Sequence, residues 1–439
     1  MNFCAGHKQR NSQKGKIVRF TRKALAFALP SFALLAAASQ ARALDFGTFE
    51  ARGLAMGGAV VAGATGQHAQ YYNPALLSMY EGNESETKNG RFYFPAITFQ
   101  ASEAAIGAIS IIDSNVNESI LAFNGAQTDD TVSELLDSLT SMQSDLEKTN
   151  QGEITIDSFI GLSVSEPSDR SGGAFYVGTR FVGGGQSNFS QADLDLLDDY
   201  VEAVDFIASA GVSGEAHAEL FVGGQLTNPE DNISSSAQID SLVISEWGVA
   251  LSREFWLGKF PIALGITPKI MRVDVFSETL TYGDTDFDYQ DDKVSYFRMN
   301  ADIGVAVPLG KHFRLGLAAK DIKPESYETV NGDIIDVQPR ARFGAAFLSR
   351  RFDLAFDIDL QKNASLGSDL GRQEVSAGLE YRVLRWMDLR VGYRQDLEGV
   401  REPTLSSGLK FKAGPLITEF AYSFSDELQG GSLQLGWAF

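Results

Sequence analysis

The chain reads as an all-β protein, an antiparallel transmembrane β-barrel interrupted by two acidic helical inserts, and three observations lead there. The first is a period-two alternation. In "RFDLAFDIDLQ", Phe352, Leu354, Phe356, Ile358 and Leu360 fall on one face while Asp353, Asp357 and Asp359 fall on the other. The second is connectivity: candidate strands follow one another with short polar turns and no helical crossover, which makes the sheet antiparallel. The third is the end of the chain, "GSLQLGWAF", where Leu433, Leu435, Trp437 and Phe439 alternate with small or polar residues. Such an ending resembles the terminal signal that assembly machinery reads on bacterial outer-membrane barrels. A soluble β-sandwich would show the same alternation, and the last strand argues against it.

Residues 1–43 read as an export leader. Lys8, Arg10, Lys14, Lys16, Arg19, Arg22 and Lys23 precede the apolar run "ALAFALPSFALLAAA", and Ala41–Ala43 supply small residues for cleavage, so the mature chain is expected to begin at Leu44. The alternative, a membrane anchor, needs roughly 20 apolar residues, and Pro30 breaks this run. Cys4 is the single cysteine and precedes the apolar run, so it is no lipoprotein acceptor. Its loss with the leader leaves neither a disulfide framework nor a CxxC redox site.

The formal net charge is −20, and eight of the 37 basic residues but none of the 57 acidic ones precede Leu44. The mature chain is therefore more acidic still, and nucleic-acid binding through a basic face is excluded as an expectation. Mean hydropathy is −0.10, a value that a barrel shares with soluble proteins because lipid-facing and lumen-facing residues alternate.

Residues 44–85 contain "RGLAMGGAVVAGATGQHAQYYNPALLSMY", from Arg52 to Tyr80. Glycine and alanine allow close backbone approach, as a segment threaded through a lumen requires. Pro74 fixes its own φ and biases Asn73 toward extended backbone, and the Asn side chain can bond nearby backbone groups. This stretch resembles the N-terminal signature of FadL-type outer-membrane proteins, with Arg52, Met56, Gly57, Gly58, Tyr72, Asn73, Pro74 and Ala75 matching position by position. The resemblance implies a hatch plugging a barrel of about 14 strands, with these residues as its gating elements. Within that superfamily the chain is most similar to the barrel-like conjugal transfer protein TraF family, through Asn73–Leu77 and the acidic helical insert that follows. That family shares its name with a thioredoxin-like periplasmic protein whose redox chemistry a chain without mature cysteine cannot perform.

Residues 86–439 form the expected barrel. Candidate strands lie near 91–101, 157–166, 173–184, 214–226, 240–252, 261–277, 292–307, 312–320, 341–350, 352–361, 373–384, 387–396, 403–412, 416–424 and 431–439, and bacterial barrels prefer an even number. Two inserts break the rhythm. Near 114–150, Val132, Leu135, Leu136, Leu139, Met142 and Leu146 share a helical face, with a capping box at Thr131 and Glu134. Near 190–207, Leu194, Leu197, Val201 and Val204 oppose Asp193, Asp195, Asp198, Asp199 and Glu202. These acidic faces suit a barrel mouth or a partner protein better than anionic headgroups. Trp247, Trp256, Trp386, Tyr393, Tyr422 and Trp437 are candidates for interfacial girdles.

Two functions fit this layout: passive transport of hydrophobic molecules through a hatch-gated lumen, or, as the alternative, a structural or docking role in the envelope of a conjugal transfer system. No catalytic residue is assigned. His68 lies in the hatch, His217 alternates with Glu215 and Glu219 on an expected strand, and His312 opens a strand. "GLSVS" at Gly161–Ser165 lacks a nucleophile elbow. Asp284–Asp292 reads as an acidic loop without the glycine and terminal glutamate of a calcium loop. Neither a metal nor a cofactor is expected. The expected partners are outer-membrane lipid, the barrel-assembly machinery, a hydrophobic small molecule in the first reading and envelope proteins in the second. The expected location is the bacterial outer membrane.

Overall fold

The computed structural model describes residues 44–79, 90–112, 116–150, 153–188, 190–210, 216–229, 232–233, 235–258, 260–281, 293–364, 366 and 371–439. The leader with Cys4, the last hatch residues 80–85 and the Asp284–Asp292 stretch lie outside them.

Fourteen strands close into one antiparallel barrel. They are β1 Arg91–Ser102, β2 Ile154–Glu166, β3 Ser171–Asn188, β4 Ser236–Leu257, β5 Phe260–Thr281, β6 Val294–Leu309 and β7 Phe313–Lys320. The series continues with β8 Arg340–Leu348, β9 Phe352–Asp359, β10 Glu374–Leu384, β11 Met387–Asp396, β12 Thr404–Ala413, β13 Leu416–Phe424 and β14 Leu428–Ala438. Each pairs with its neighbour in sequence, and β1 closes the ring on β14, with Phe92 opposite Trp437 and Ile97 opposite Leu433. Closure removes every sheet edge, as a bilayer demands.

The alternation sorts side chains as read from the sequence. In β9, Leu354 and Phe356 are exposed outward while Asp353, Asp357 and Asp359 are buried inward. Trp247, Trp256, Trp386, Tyr393, Tyr422 and Trp437 all face outward and are exposed. Short turns join strands at one end of the barrel, where Gly310 and Gly414 take left-handed backbone at φ +78° and +62°. Every long connection lies at the other end. Those connections include a hairpin of Glu325–Glu328 with Ile334–Val337.

One expected strand, 214–226, differs in its described residues. Residues 216–226 do not join the barrel: Ala218–Leu220 form a 3-10 turn, and Phe221–Val222 pair with Gln225–Leu226 in a small hairpin. The alternation of Glu215, His217 and Glu219 misled because Leu220 and Leu226 are recruited into a helical core instead.

That core belongs to a module made from both inserts. Between β1 and β2 run α3 Glu103–Ile112, α4 Val116–Gly125 and α5 Asp129–Asn150, and between β3 and β4 runs α6 Gln191–Ala210. Helix thus begins earlier than the expected bound at 114. Leu135, Leu139, Met142 and Leu146 of α5 pack with Leu197, Tyr200, Val204 and Ile207 of α6 and with Ile120 and Phe123 of α4. The two inserts, read as separate, bury their apolar stripes on each other, each large side chain contributing about 1.5–3 kcal/mol. The expected capping box shifts by one turn. Thr128 caps α5, its Oγ1 accepting from the Thr131 amide at 3.3 Å. Ser190 caps α6 by accepting from the Asp193 amide at 3.1 Å.

Candidate functional site

The segment Leu44–Met79 fills the barrel lumen, and nearly all of its side chains are buried. Its first helix, α1 Ala51–Ala55, is capped by Glu50, whose carboxylate accepts from the amides of Arg52 at 2.6 Å and Gly53 at 2.7 Å. An anion at a helix N-terminus is favoured by the orphan amides there. Met56 ends the turn. Gly57 and Gly58 follow at φ +65° and +87°, a pair of left-handed residues that reverses the chain. After α2, Ala69–Tyr72, Asn73 takes extended backbone and caps a 3-10 turn at Pro74–Ser78.

The matched hatch residues do different jobs. Arg52 donates through Nε to Glu380 of β10 at 2.9 Å. Asn73 ties three segments together: its Oδ1 accepts from the Ala75 amide at 3.1 Å, and its Nδ2 donates to the carbonyls of Val61 at 2.8 Å and of Val305 in β6 at 3.2 Å. The Tyr72 hydroxyl accepts from the Phe49 amide at 3.0 Å. Met56, Pro74 and Ala75 are buried against wall backbone. The C-terminal set Leu433, Leu435, Trp437 and Phe439 lies apart from these, on the outer face of β14 and just beyond its end.

The wall opposite the hatch is built to receive it. Gly265 of β5, Gly304 of β6, Gly316 of β7, Gly378 of β10, Gly392 of β11 and Gly408 of β12 all face inward. At each, an added Cβ would fall closer than 3.0 Å to a hatch atom between Ala55 and Ala75. Between the glycines stand charged side chains that bond the hatch backbone. Asp357 of β9 accepts from the amides of Val60 at 2.7 Å and Val61 at 2.8 Å. Arg314 of β7 donates to the carbonyls of Ala62 at 2.7 Å and Ala64 at 2.9 Å. Lys320 donates to the Tyr71 carbonyl at 2.9 Å. Other buried wall charges pair with one another, Arg390 bridging Glu380 at 2.9 Å and Glu419 at 2.5 Å. Arg342 bridges Asp359 at 2.5 Å and Glu374 at 3.1 Å.

Toward β3 and β4, Gly172 still seats the Leu77 backbone and Ser252 donates to the Ala75 carbonyl at 3.0 Å, but toward β2 and β3 aromatic contact is added. Phe49 and Tyr71 of the hatch meet Phe159 of β2 edge-on, with ring centroids 5.2 and 5.6 Å away, and Tyr71 meets Tyr176 of β3 at 5.4 Å. Two cavities lie on this side. One, of about 20 Å³, is lined by Phe49, Tyr71, Phe159, Tyr176, Lys320 and Arg340 among others. The second, of about 40 Å³, is lined by Asp45, Gln100, Arg180, Arg394 and Arg401 among others. A water needs roughly 10–15 Å³ of such space, so each of these two holds a few waters at most.

His68 is buried at the hatch, with Nδ1 2.9 Å from Thr65 Oγ1, Nε2 3.7 Å from Glu50 and its ring stacked on Tyr93. Burial pushes its imidazole below the usual histidine value, against the pull of Glu50. Neither of these two cavities is lined by His68. Ser165 donates to the Gln67 carbonyl.

Sequence reasoning did not find the receiving wall. Its signal was present: glycine recurs at inward positions of successive strands, in several of them with Arg, Asp or Glu two residues away, as in Arg342-x-Gly344 and Arg390-x-Gly392.

Fold and site together define a plugged transmembrane β-barrel. The family described as "F plasmid transfer operon, TraF, protein" matches residues 70–359, well over half the chain, and the chain belongs to that family. No curated protein matches it. Among solved structures, it is similar to the TodX deltaS2S3 mutant monoaromatic hydrocarbon channel at 10% identity and TM-score 0.45, over 89% of this chain and 98% of that one. The P. putida toluene transporter TodX matches at 11% identity and TM-score 0.42, over 90% of this chain and 98% of that one. The CymD monoaromatic hydrocarbon channel matches at 11% and TM-score 0.45, over 90% and 99%. Scores this low assign no activity.

Proposed function

We propose that this protein sits in the bacterial outer membrane after loss of its leader and passes hydrophobic molecules through a lumen gated by the hatch. The observation that carries the reading is the asymmetry of the hatch seat. Inward glycines and buried charge hold most of the hatch against β5–β12, whereas its Phe49–Tyr71 face rests on the rings of Phe159 and Tyr176 in β2 and β3, beside two cavities. The Phe159 ring, which holds no polar partner, can change rotamer without stranding a buried charge, so a passage opens there at the smallest cost. Lipid outside the wall and assembly machinery at the last strand are the partners this reading needs.

The test is uptake of a labelled long-chain acyl compound by cells lacking the gene and complemented with wild type or with Phe159→Ala at equal outer-membrane levels. Wild type should restore uptake and the variant should raise it by several-fold. Equal uptake in all three strains would remove the reading.

A second reading, a docking component of a conjugal transfer system, is favoured by the acidic helical module. Its helices satisfy their apolar faces internally and leave Asp137, Glu147, Asp195, Glu202 and Asp205 to solvent or a partner. Photo-crosslinkers at Asp137 and Asp205 in donor cells would trap the same envelope protein at both positions if docking is the role.

A further inference from the structure

Away from the lumen, three carboxylates of the helical module converge on one imidazole. His217 holds left-handed backbone at φ 47°, ψ 54°. Its Nε2 lies 3.1 Å from Glu202 Oε2, within hydrogen-bond length. Its Nδ1 faces Asp199 Oδ1 at 3.5 Å and Glu219 Oε1 at 3.4 Å. Asp199 and Glu202 project from successive turns of α6, and Glu219 comes from the 3-10 turn Ala218–Leu220, so two separate elements supply the donors.

The two ring nitrogens are not equivalent. In the tautomer that donates from Nε2 to Glu202, the proton sits on Nε2 and a lone pair is left on Nδ1. That lone pair and two carboxylates then face a common centre, an arrangement that a bound cation satisfies. The separations fit one. Ligands bound at about 2.1 Å in a tetrahedron stand about 3.4 Å apart.

We infer that His217 Nδ1, Asp199 and Glu219 form a zinc site, with Glu202 as the positioning residue that fixes the tautomer from the far side of the ring. One nitrogen and two carboxylate oxygens suit zinc, whereas calcium and magnesium take all-oxygen shells. Three protein ligands leave the fourth tetrahedral position to water. A carboxylate behind the ligating histidine is the usual outer partner of such a site. The carboxylates of Asp199 and Glu219 are 46% and 69% exposed, so an ion reaches them directly from solvent. Bound zinc would join α6 to the turn that leads into the Phe221–Leu226 hairpin.

The test is calorimetric titration of ZnCl2 into the full-length, untagged barrel in detergent after chelator treatment, with cobalt as a spectroscopic probe. Wild type should take up one zinc, and cobalt should give the intense visible absorption of a tetrahedral site. His217→Ala should weaken zinc at least 100-fold and abolish the cobalt band. Glu202→Gln should keep the stoichiometry and weaken binding 10- to 100-fold. Heat-modifiable migration on gels reports that each variant still carries a folded barrel. Absence of zinc uptake by wild type would leave only an imidazolium ion pair and overturn the assignment, as would equal uptake by wild type and His217→Ala. Unchanged affinity in Glu202→Gln would overturn the positioning role.

Discussion

The two sides of the lumen hold one hatch by different physics. Against β5–β12 the hatch backbone lies directly on wall backbone at inward glycines, and its amides and carbonyls bond to buried charges such as Asp357 and Arg314. Against β2 and β3 its Tyr71 meets Phe159 and Tyr176 through rings, and its C-terminal end, at Ala75–Leu77, keeps a glycine and hydroxyl seat on Gly172 and Ser252. A backbone seated on charge has no second arrangement that satisfies the same groups, whereas ring packing has several. The difference teaches where such a plug yields and where it stays anchored.

Removal of an anchor should have the largest effect. Asp357→Ala strands the Val60 and Val61 amides in a buried site, a loss of about 3–5 kcal/mol from hatch seating. Limited proteolysis in detergent should then cut between Val60 and Met79 while the barrel stays intact, and planar bilayers should show ion conductance absent from wild type. If the hatch stays resistant, the charged side is not its anchor.

Phe159→Ala on the opposite side removes about 3 kcal/mol of packing beside an existing cavity. It should leave the hatch protease-resistant and enlarge only the aromatic seam, read as xenon or benzene binding that wild type lacks. Gly392→Ala forces a Cβ against Gly57 and should cost about 1–3 kcal/mol, seen as faster amide exchange at Gly57–Val61.

The smallest effect is pH-dependent. The His68 imidazole is held below its usual value by burial, so an unseated hatch binds a proton more readily than a seated one. The seated hatch therefore loses stability as pH falls through 6.5 toward the lower value of the buried group. Amide exchange at Gly66–Tyr72 should accelerate on acidification, and His68→Gln should flatten that dependence.

Much of the barrel was legible because alternation is a local property. Fourteen of the candidate strands coincide with barrel strands, and β9 shows why: its aspartates and large apolar residues alternate without interruption. The failure at 214–226 has the opposite cause. Its alternation is short and polar, and the decision belonged to Leu220 and Leu226, which pack on helices distant in sequence. Sequence placed His217 on a strand for the same reason.

Sequence by itself determined the period-two wall, the amphipathic stripes of α5 and α6, and the Gly-Gly and Asn-Pro turns of the hatch. Each rests on backbone geometry or on partition of side chains between apolar and polar surroundings, which a few neighbouring residues settle. Only the tertiary structure decided which wall carboxylate meets which hatch amide, that the two inserts share one core, and that three carboxylates gather around His217. Closing the barrel brings Val60 to Asp357 and Arg52 to Glu380 across some 300 residues of chain, and no local pattern encodes a contact that ring closure creates.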